Sequence, residues 1–203
     1  MILENNLSEL CLVIGSSNSG KIKEFRNLLS NFPFKILSQP EGLSVEEDGK
    51  TFAENARLKA IAVANMTGKL SLADDSGLTV KALSGAPGIY SARYANTDQE
   101  RIFRLLKEMK DCDDRSARFH SALCIAKPNN DVLIEVEGIC EGLITSSPRG
   151  SYGFGYDPIF EVFGTRLTFA EMKTEQKKAL SHRGKAFQLL EIELRRILPT
   201  LYL

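Results

Sequence analysis

The chain alternates short apolar blocks with polar, small-residue joints, and the spacing of the apolar positions separates strands from helices. Residues 10–14 are an apolar run ending at the small-residue loop Gly15-Ser16-Ser17-Asn18-Ser19-Gly20. From Lys21 onward Ile22, Phe25, Leu28 and Leu29 recur at helical spacing, which makes a strand, loop, helix unit. Residues 34–37 read as a second strand and 40–49 as an acidic loop. Thr51 opens the next helix, with Glu54 placed to reach back as a capping box; the helix runs to about Met66 and Gly68 ends it. Residues 70–73 are a buried strand running straight into Asp74-Asp75, and Ser76-Gly77 is expected to turn the chain.

Farther on, Gly85, Pro87 and Gly88 mark an ordered loop. Thr97 and Glu100 form a second capping box ahead of a helix carrying Ile102, Phe103, Leu105, Leu106 and Met109. Two long strands, 117–126 and 132–144, are joined by the hairpin signal Pro128-Asn129-Asn130-Asp131. A glycine- and aromatic-rich loop covers 148–158, and a short strand covers 159–162. Thr168 with Glu171 caps a further helix, Ser181-His182-Arg183-Gly184 interrupts it, and a last helix runs to about Leu198. Early alternation of strands and helices followed by a hairpin predicts an α/β protein with a mixed sheet.

Composition narrows the function more than the fold. The 26 basic and 26 acidic side chains cancel, which argues against a general nucleic-acid binder but leaves room for a local basic pocket. Residues 1–6 carry no basic, secretion-type leader, and no apolar stretch reaches the roughly 20 residues of a membrane-spanning helix. The four cysteines have no C-x-x-C spacing, so a thiolate metal site is not expected, and three of them lie in apolar, strand-like segments that predict reduced core thiols. These features predict a cytoplasmic enzyme or binding module of one large domain, or two small lobes sharing a sheet.

Chemistry concentrates in a few segments. Gly15 to Lys21 satisfies G-x-x-x-x-G-K, a loop whose backbone N–H groups and following helix favour an anion. Ile22 stands where a P-loop needs a magnesium-binding hydroxyl, so a plain strand-to-helix turn and a phosphate cradle both remain open. Asp74 and Asp75 are adjacent acids at a strand end, a solvated loop or a magnesium site; on a strand they point to opposite faces, and Glu46 and Glu47 offer a further carboxylate. Gly153-Phe154-Gly155-Tyr156-Asp157-Pro158 is either a tight turn or a place where backbone and aromatic rings meet a planar base, with Asp157 accepting from ring nitrogens. Lys177, His182 and Arg183 are a donor cluster or a solvated helix end, whereas His120 reads as structural.

Taken together and in order, these segments resemble the inosine triphosphate pyrophosphatase family, also called the Ham1 family. The matching runs are Ser16-Ser17-Asn18-Ser19-Gly20-Lys21, the Glu46-to-Ala56 segment, Leu72-Ala73-Asp74-Asp75-Ser76-Gly77-Leu78, the Gly85-to-Tyr94 segment, Gly153-Phe154-Gly155-Tyr156-Asp157-Pro158 and Ser181-His182-Arg183-Gly184. The resemblance implies hydrolysis of dITP, ITP and XTP to monophosphate and pyrophosphate, on a long mixed β-sheet with two α/β lobes flanking a central cleft, usually as a homodimer. It further implies that Asp75 is the proton acceptor and a magnesium ligand, with Glu46 as second acidic ligand. Ser76 would touch substrate; Ser16, Ser17, Asn18, Ser19, Gly20, Lys21 and Lys59 would hold the triphosphate; Phe154, Gly155, Tyr156, Asp157, Lys177, His182 and Arg183 would bind the base and nearby phosphate. Ser17 and Tyr152 stand where many relatives have glycine, and Tyr152 is expected to narrow the base pocket. The competing readings are a P-loop phosphotransferase, a pyrophosphatase for methylated or pyrimidine nucleotides, and a non-catalytic nucleotide-binding module.

Overall fold

The structure, a computed structural model, describes residues 10–202, so the leader reading at residues 1–6 lies outside the described residues. Six strands form one sheet in the order β2-β1-β3-β4-β5-β6. They are β1 (Leu10–Gly15), β2 (Phe34–Ser38), β3 (Leu70–Val80), β4 (Ser116–Lys127), β5 (Asp131–Ile144) and β6 (Phe160–Val162). β1 pairs in parallel with β2 and β3, and the remaining pairs are antiparallel, so the sheet is mixed as expected. The helices are α1 (Ser19–Leu28), α2 (Phe52–Thr67), α3 (Asp98–Glu108), α4 (Thr174–Leu180) and α5 (His182–Ile197). Among the described residues no helix is long and apolar enough to cross a membrane.

The side-chain period of β3 distributes the layers. Leu72 on one face packs with Leu12, Ile14, Leu123 and Ile125 against Phe25 of α1 and Ala186, Leu190 and Leu194 of α5. Ala73 on the other face packs with Ala122, Cys124 and Ala126 against Ala56, Ala60 and Ala64 of α2, small residues that let helix and sheet approach closely. Beyond Leu78 a third cluster joins Phe119, Phe160 and Phe169 to Leu105 of α3 and to Met109, which caps its C-terminus. Four free thiols accompany this core; burial pushes Cys124 up to about 12 and Cys140 up to about 11, which keeps both protonated at neutral pH.

Several local expectations are corrected. Ser76-Gly77 does not turn the chain: β3 continues to Val80, with Asp75, Ser76 and Gly77 opposite Ala122, Ser121 and His120 of β4. Gly77 serves close approach instead, since a Cβ there would lie 2.5 Å from Ser91 Oγ and 2.6 Å from the Gly88 carbonyl oxygen. α1 begins at Ser19, two residues before Lys21, because Asn18 is its cap and accepts from Lys21 N at 3.1 Å. Thr51 caps α2 as anticipated, but Glu54 accepts from Lys50 N rather than completing a box on Thr51. Thr168 and Glu171 do form a capping box, yet it encloses only the 3-10 turn Phe169–Glu171; α4 starts later, at Thr174. The α4–α5 break falls at Ser181, whose extended backbone stops one helix and whose hydroxyl accepts from Gly184 N to start the next.

Candidate active site

One cleft of about 660 Å³ opens over the C-terminal end of β1 and the middle of β3. Its floor is set by β1. Gly15 lies against β3, where a Cβ would come within 3.2 Å of Ala73 Cβ, and the chain then swings through Ser16, Ser17 and Asn18 into α1. Ser16 Oγ accepts from Asn18 N at 3.2 Å and Asn18 Oδ1 accepts from Lys21 N at 3.1 Å, which fixes the loop and leaves the helix N-terminus toward the cleft. Ser16, Ser17, Asn18, Gly20 and Lys21 line the wall, whereas Ser19 is exposed and off it.

The strand period separates the two aspartates. Asp74, 1% exposed, turns to the α1 and α5 face, where Lys21 Nζ lies 2.7 Å from its Oδ2. Burial opposes its charge, but Lys21 above all, then Lys59 and Arg183, hold the carboxyl below the usual range. Asp75 turns to the α2 face and lines the cleft. Its Oδ2 accepts from Asn55 Nδ2 at 3.1 Å and its Oδ1 from Ser76 N at 3.1 Å, with Lys59 Nζ at 3.5 Å. Burial raises the Asp75 pKa, assisted by the Glu47 charge and only partly offset by Lys59 and Asn55. A carboxylate with raised proton affinity, facing solvent-filled space, can serve as a general base.

Lys59 reaches a second acid as well, Glu47, with Nζ 2.8 Å from Oε1; Arg93 holds the other oxygen of Glu47 at 3.0 Å. Burial works against the Lys59 charge, but Asp74 and Asp75 outweigh it and raise the pKa, so the ammonium persists. The acid facing the cleft is therefore Glu47; Glu46, singled out from sequence, is exposed and not on the wall. Asn55 escaped sequence reasoning as a site residue. Fully buried on α2, it accepts from Gly49 N at 2.9 Å while donating to Asp75, and so ties the acidic loop to the catalytic candidate.

The far end of the cleft is built by residues 153–157 and the start of α5. Gly153 and Gly155 adopt left-handed backbone, φ 81° and 61°, and a Cβ at Gly153 would collide with Asp157 Oδ2 at 1.9 Å. Asp157 is buried and occupied: it accepts from Phe154 N at 2.9 Å and from Lys177 Nζ at 2.5 Å. Both bonds fall on Oδ2, which braces the loop, while Asp157 itself lines the cleft; Lys177 is off the cleft wall. Tyr156 is buried and donates to the Ser91 carbonyl at 3.0 Å. Phe154 is half-exposed, its ring centroid 5.4 Å from Lys177 Nζ and 5.1 Å from the Arg183 guanidinium carbon. Tyr152 is exposed and off the wall, so it does not narrow the pocket.

His182 and Arg183 close this end. His182 stacks on Phe119 at 4.6 Å with 9° between planes, and burial, reinforced by Arg183 and Lys177, pushes its pKa well below the usual value. The ring is neutral at pH 7, and its buried Nδ1 has no partner among the described residues. Arg183 donates to Ser76 Oγ at 3.2 Å and lies 3.6 Å from Glu24, while its buried Nε is also unpartnered. His120 stands apart, stacked on Phe52 and bonded to Glu137 and Thr79.

Comparison with known proteins agrees with this architecture. A dITP/XTP pyrophosphatase of Prochlorococcus marinus (strain MIT 9313) is 61% identical over 194 residues, covering 96% of both chains. Another, of Synechococcus sp. (strain CC9311), is 62% identical over 187 residues, covering 92% of this chain and 91% of its own. Among solved structures, a HAM1 protein from Coxiella burnetii superposes with a TM-score of 0.87 at 43% identity, covering 92% of this chain and 99% of its own. The Staphylococcus aureus Ham1 protein gives 0.84 at 39% identity, with 91% and 98% covered. The Ham1 family sequence model matches residues 12–192, a span running from β1 into α5 and enclosing every wall of the cleft, and the chain belongs to that family.

Proposed function

We propose that the protein hydrolyses deaminated purine nucleoside triphosphates (dITP, ITP and XTP) to the monophosphate and pyrophosphate. The observation that carries this is the placement of Asp75 in a single cleft, between an anion-holding loop at residues 16–21 and an aromatic, donor-rich pocket at Phe154, His182 and Arg183. A water held by Asp75 attacks the α-phosphorus; the new P–O bond forms as the bond to the β-phosphate oxygen breaks, and the water's proton passes to the carboxylate. Lys21, Lys59 and the loop N–H groups take the triphosphate oxygens and offset their charge. Ser76, held by Arg183, meets the sugar-phosphate side of the substrate.

Magnesium fits the donor set on one observation: Glu47 and Asp75 converge on the same Lys59 ammonium, a point already built for a cation. No group of three or more potential ligands occurs among the described residues, which suits an ion that keeps waters and takes phosphate oxygens beside one or two carboxylates. Bound there, it supplies Lewis-acid neutralisation of the phosphate charge. Base selection belongs to Arg183, whose buried unpartnered Nε–H is a donor, and to His182 in the tautomer with the proton on Nδ1; both match a purine carbonyl and are left unsatisfied by the amino group of adenine. A cytoplasmic location, favoured by free thiols, and a homodimeric assembly complete the reading.

Pyrophosphate release measured on ITP, XTP, GTP, ATP and dUTP, with and without magnesium, tests it. The expected result is magnesium-dependent monophosphate and pyrophosphate from ITP and XTP. Comparable efficiency on ATP overturns the base assignment, and ADP with inorganic phosphate would indicate phosphotransferase chemistry instead. Sedimentation velocity checks the dimer.

A further inference from the structure

The base-binding loop is held from two sides, and only one of the holds lies within its own segment. Asp157 supplies the inner hold on Phe154 N. The outer hold comes from α3: Asp98 Oδ2 accepts from Gly155 N at 2.7 Å, across 57 residues of sequence. Asp98 is itself fixed, because Arg101 Nη1 lies 2.6 Å from its Oδ1 and Arg101 Nε donates to the Ala95 carbonyl at 3.0 Å. Both Asp98 and Arg101 reach the cleft wall.

We propose that Asp98 is a positioning residue for nucleotide binding, setting the place of Phe154 and Gly155 against the base. Gly155, in left-handed backbone with φ 61°, gives its N–H to α3, where Asp98 Oδ2 takes it. A charged acceptor is the strong form of that bond. Arg101 meanwhile neutralises the carboxylate and keeps its second oxygen from turning toward the substrate phosphates, which it would repel. Lacking this hold, the loop keeps only its Asp157 brace, and Phe154 loses its fixed distance from Arg183. The reacting phosphorus lies at the Asp75 end of the cleft, so Asp98 acts on binding rather than on the chemical step.

Asp98's assignment rests on the pyrophosphatase reading, and the test keeps the two separable. Three proteins are compared: wild type, Asp98→Ala, and Thr97→Ala. The last weakens the same α3 N-terminus by removing its capping hydroxyl without touching the loop. Amide hydrogen exchange at Phe154 and Gly155 is followed in the nucleotide-free proteins, and kcat and KM for ITP are measured with magnesium. In Asp98→Ala, exchange at Gly155 accelerates and KM rises about tenfold or more, the scale of one lost bond to a charged acceptor. Its kcat stays within about twofold of wild type, as expected when only ground-state and transition-state binding are lost together. Asp98→Asn, which keeps an oxygen for Gly155 N, falls between. Thr97→Ala lowers the melting temperature and leaves exchange at Gly155 and KM unchanged. Unchanged exchange or KM in Asp98→Ala overturns the proposal, as does a Thr97→Ala protein that reproduces both effects. A wild type that releases no pyrophosphate from ITP refutes the function instead, while the exchange arm still decides whether Asp98 holds the loop.

Discussion

Asp75 and His182 show how burial assigns opposite tasks to ionisable side chains in one cleft. The raised proton affinity of Asp75 makes it the stronger base of the aspartate pair, whereas Asp74, paired through Oδ2 with Lys21, has its proton affinity lowered. Asp75→Asn is expected to fold and to lose at least about a hundredfold in turnover; near-normal turnover would remove Asp75 from the role. His182 yields a stability prediction. Its folded pKa lies far below the ordinary value, so between the two the unfolded chain binds the proton that the native chain refuses. Stability from this residue is therefore present above the unfolded pKa of about 6.5 and is lost as pH falls below it, by up to about 1.4 kcal/mol per pH unit. Melting curves from pH 7 to 5 should fall steeply for wild type and less for His182→Phe, which keeps an aromatic ring against Phe119. Parallel curves for the two would show that His182 titrates normally.

At the scale of elements, what was legible in the sequence was whatever a local bond specifies. Thr51 and Thr97 cap the helices that their hydroxyls announce, and Gly68 ends α2 in a left-handed conformation. Thr51→Ala should cost about 1 kcal/mol of stability, measured by denaturant titration. What escaped was decided by tertiary pairing. Asp75-Ser76-Gly77 looks like a turn because serine and glycine usually break strands, yet β4 supplies a partner for every residue up to Val80. Gly77 is there because Gly88, Ser91 and Phe52 crowd its face. Gly77→Ala must push back the Gly88 carbonyl, so it is expected to destabilise by about 1–3 kcal/mol, an overpacking cost. An unchanged denaturation midpoint would mean that the Gly88–Arg93 turn yields freely. The same limit hid Asn55 and Asp98 as site residues and left Glu46 and Glu47 undecided: Glu47, Asn55 and Asp98 are each recognised by a partner 12 or more residues away, Lys59, Asp75 and Gly155 respectively.

For the whole molecule, the mixed sheet makes the cleft a junction between separately packed parts. The parallel strands and α1 bring the anion loop, the long antiparallel pair carries the sheet out to the Phe119 cluster, and α5 returns across it with His182 and Arg183. A nucleotide spanning the cleft touches both, so binding should stabilise the fold as a unit and in proportion to occupancy. Asp75→Asn allows this to be read without turnover. At a hundredfold excess over its dissociation constant, a ligand binding only the native state adds about 2.7 kcal/mol. For a domain of this size that corresponds to a rise of roughly 5–10 °C in melting temperature. ITP with magnesium should produce that rise in Asp75→Asn, ATP should produce much less at equal concentration, and chelating the magnesium should reduce the ITP shift because the remaining Glu47 carboxylate and the phosphates then face one another unscreened. Equal shifts with ATP and ITP would show that base discrimination, if the enzyme has it, arises in the chemical step and not in the pocket formed by Phe154, His182 and Arg183.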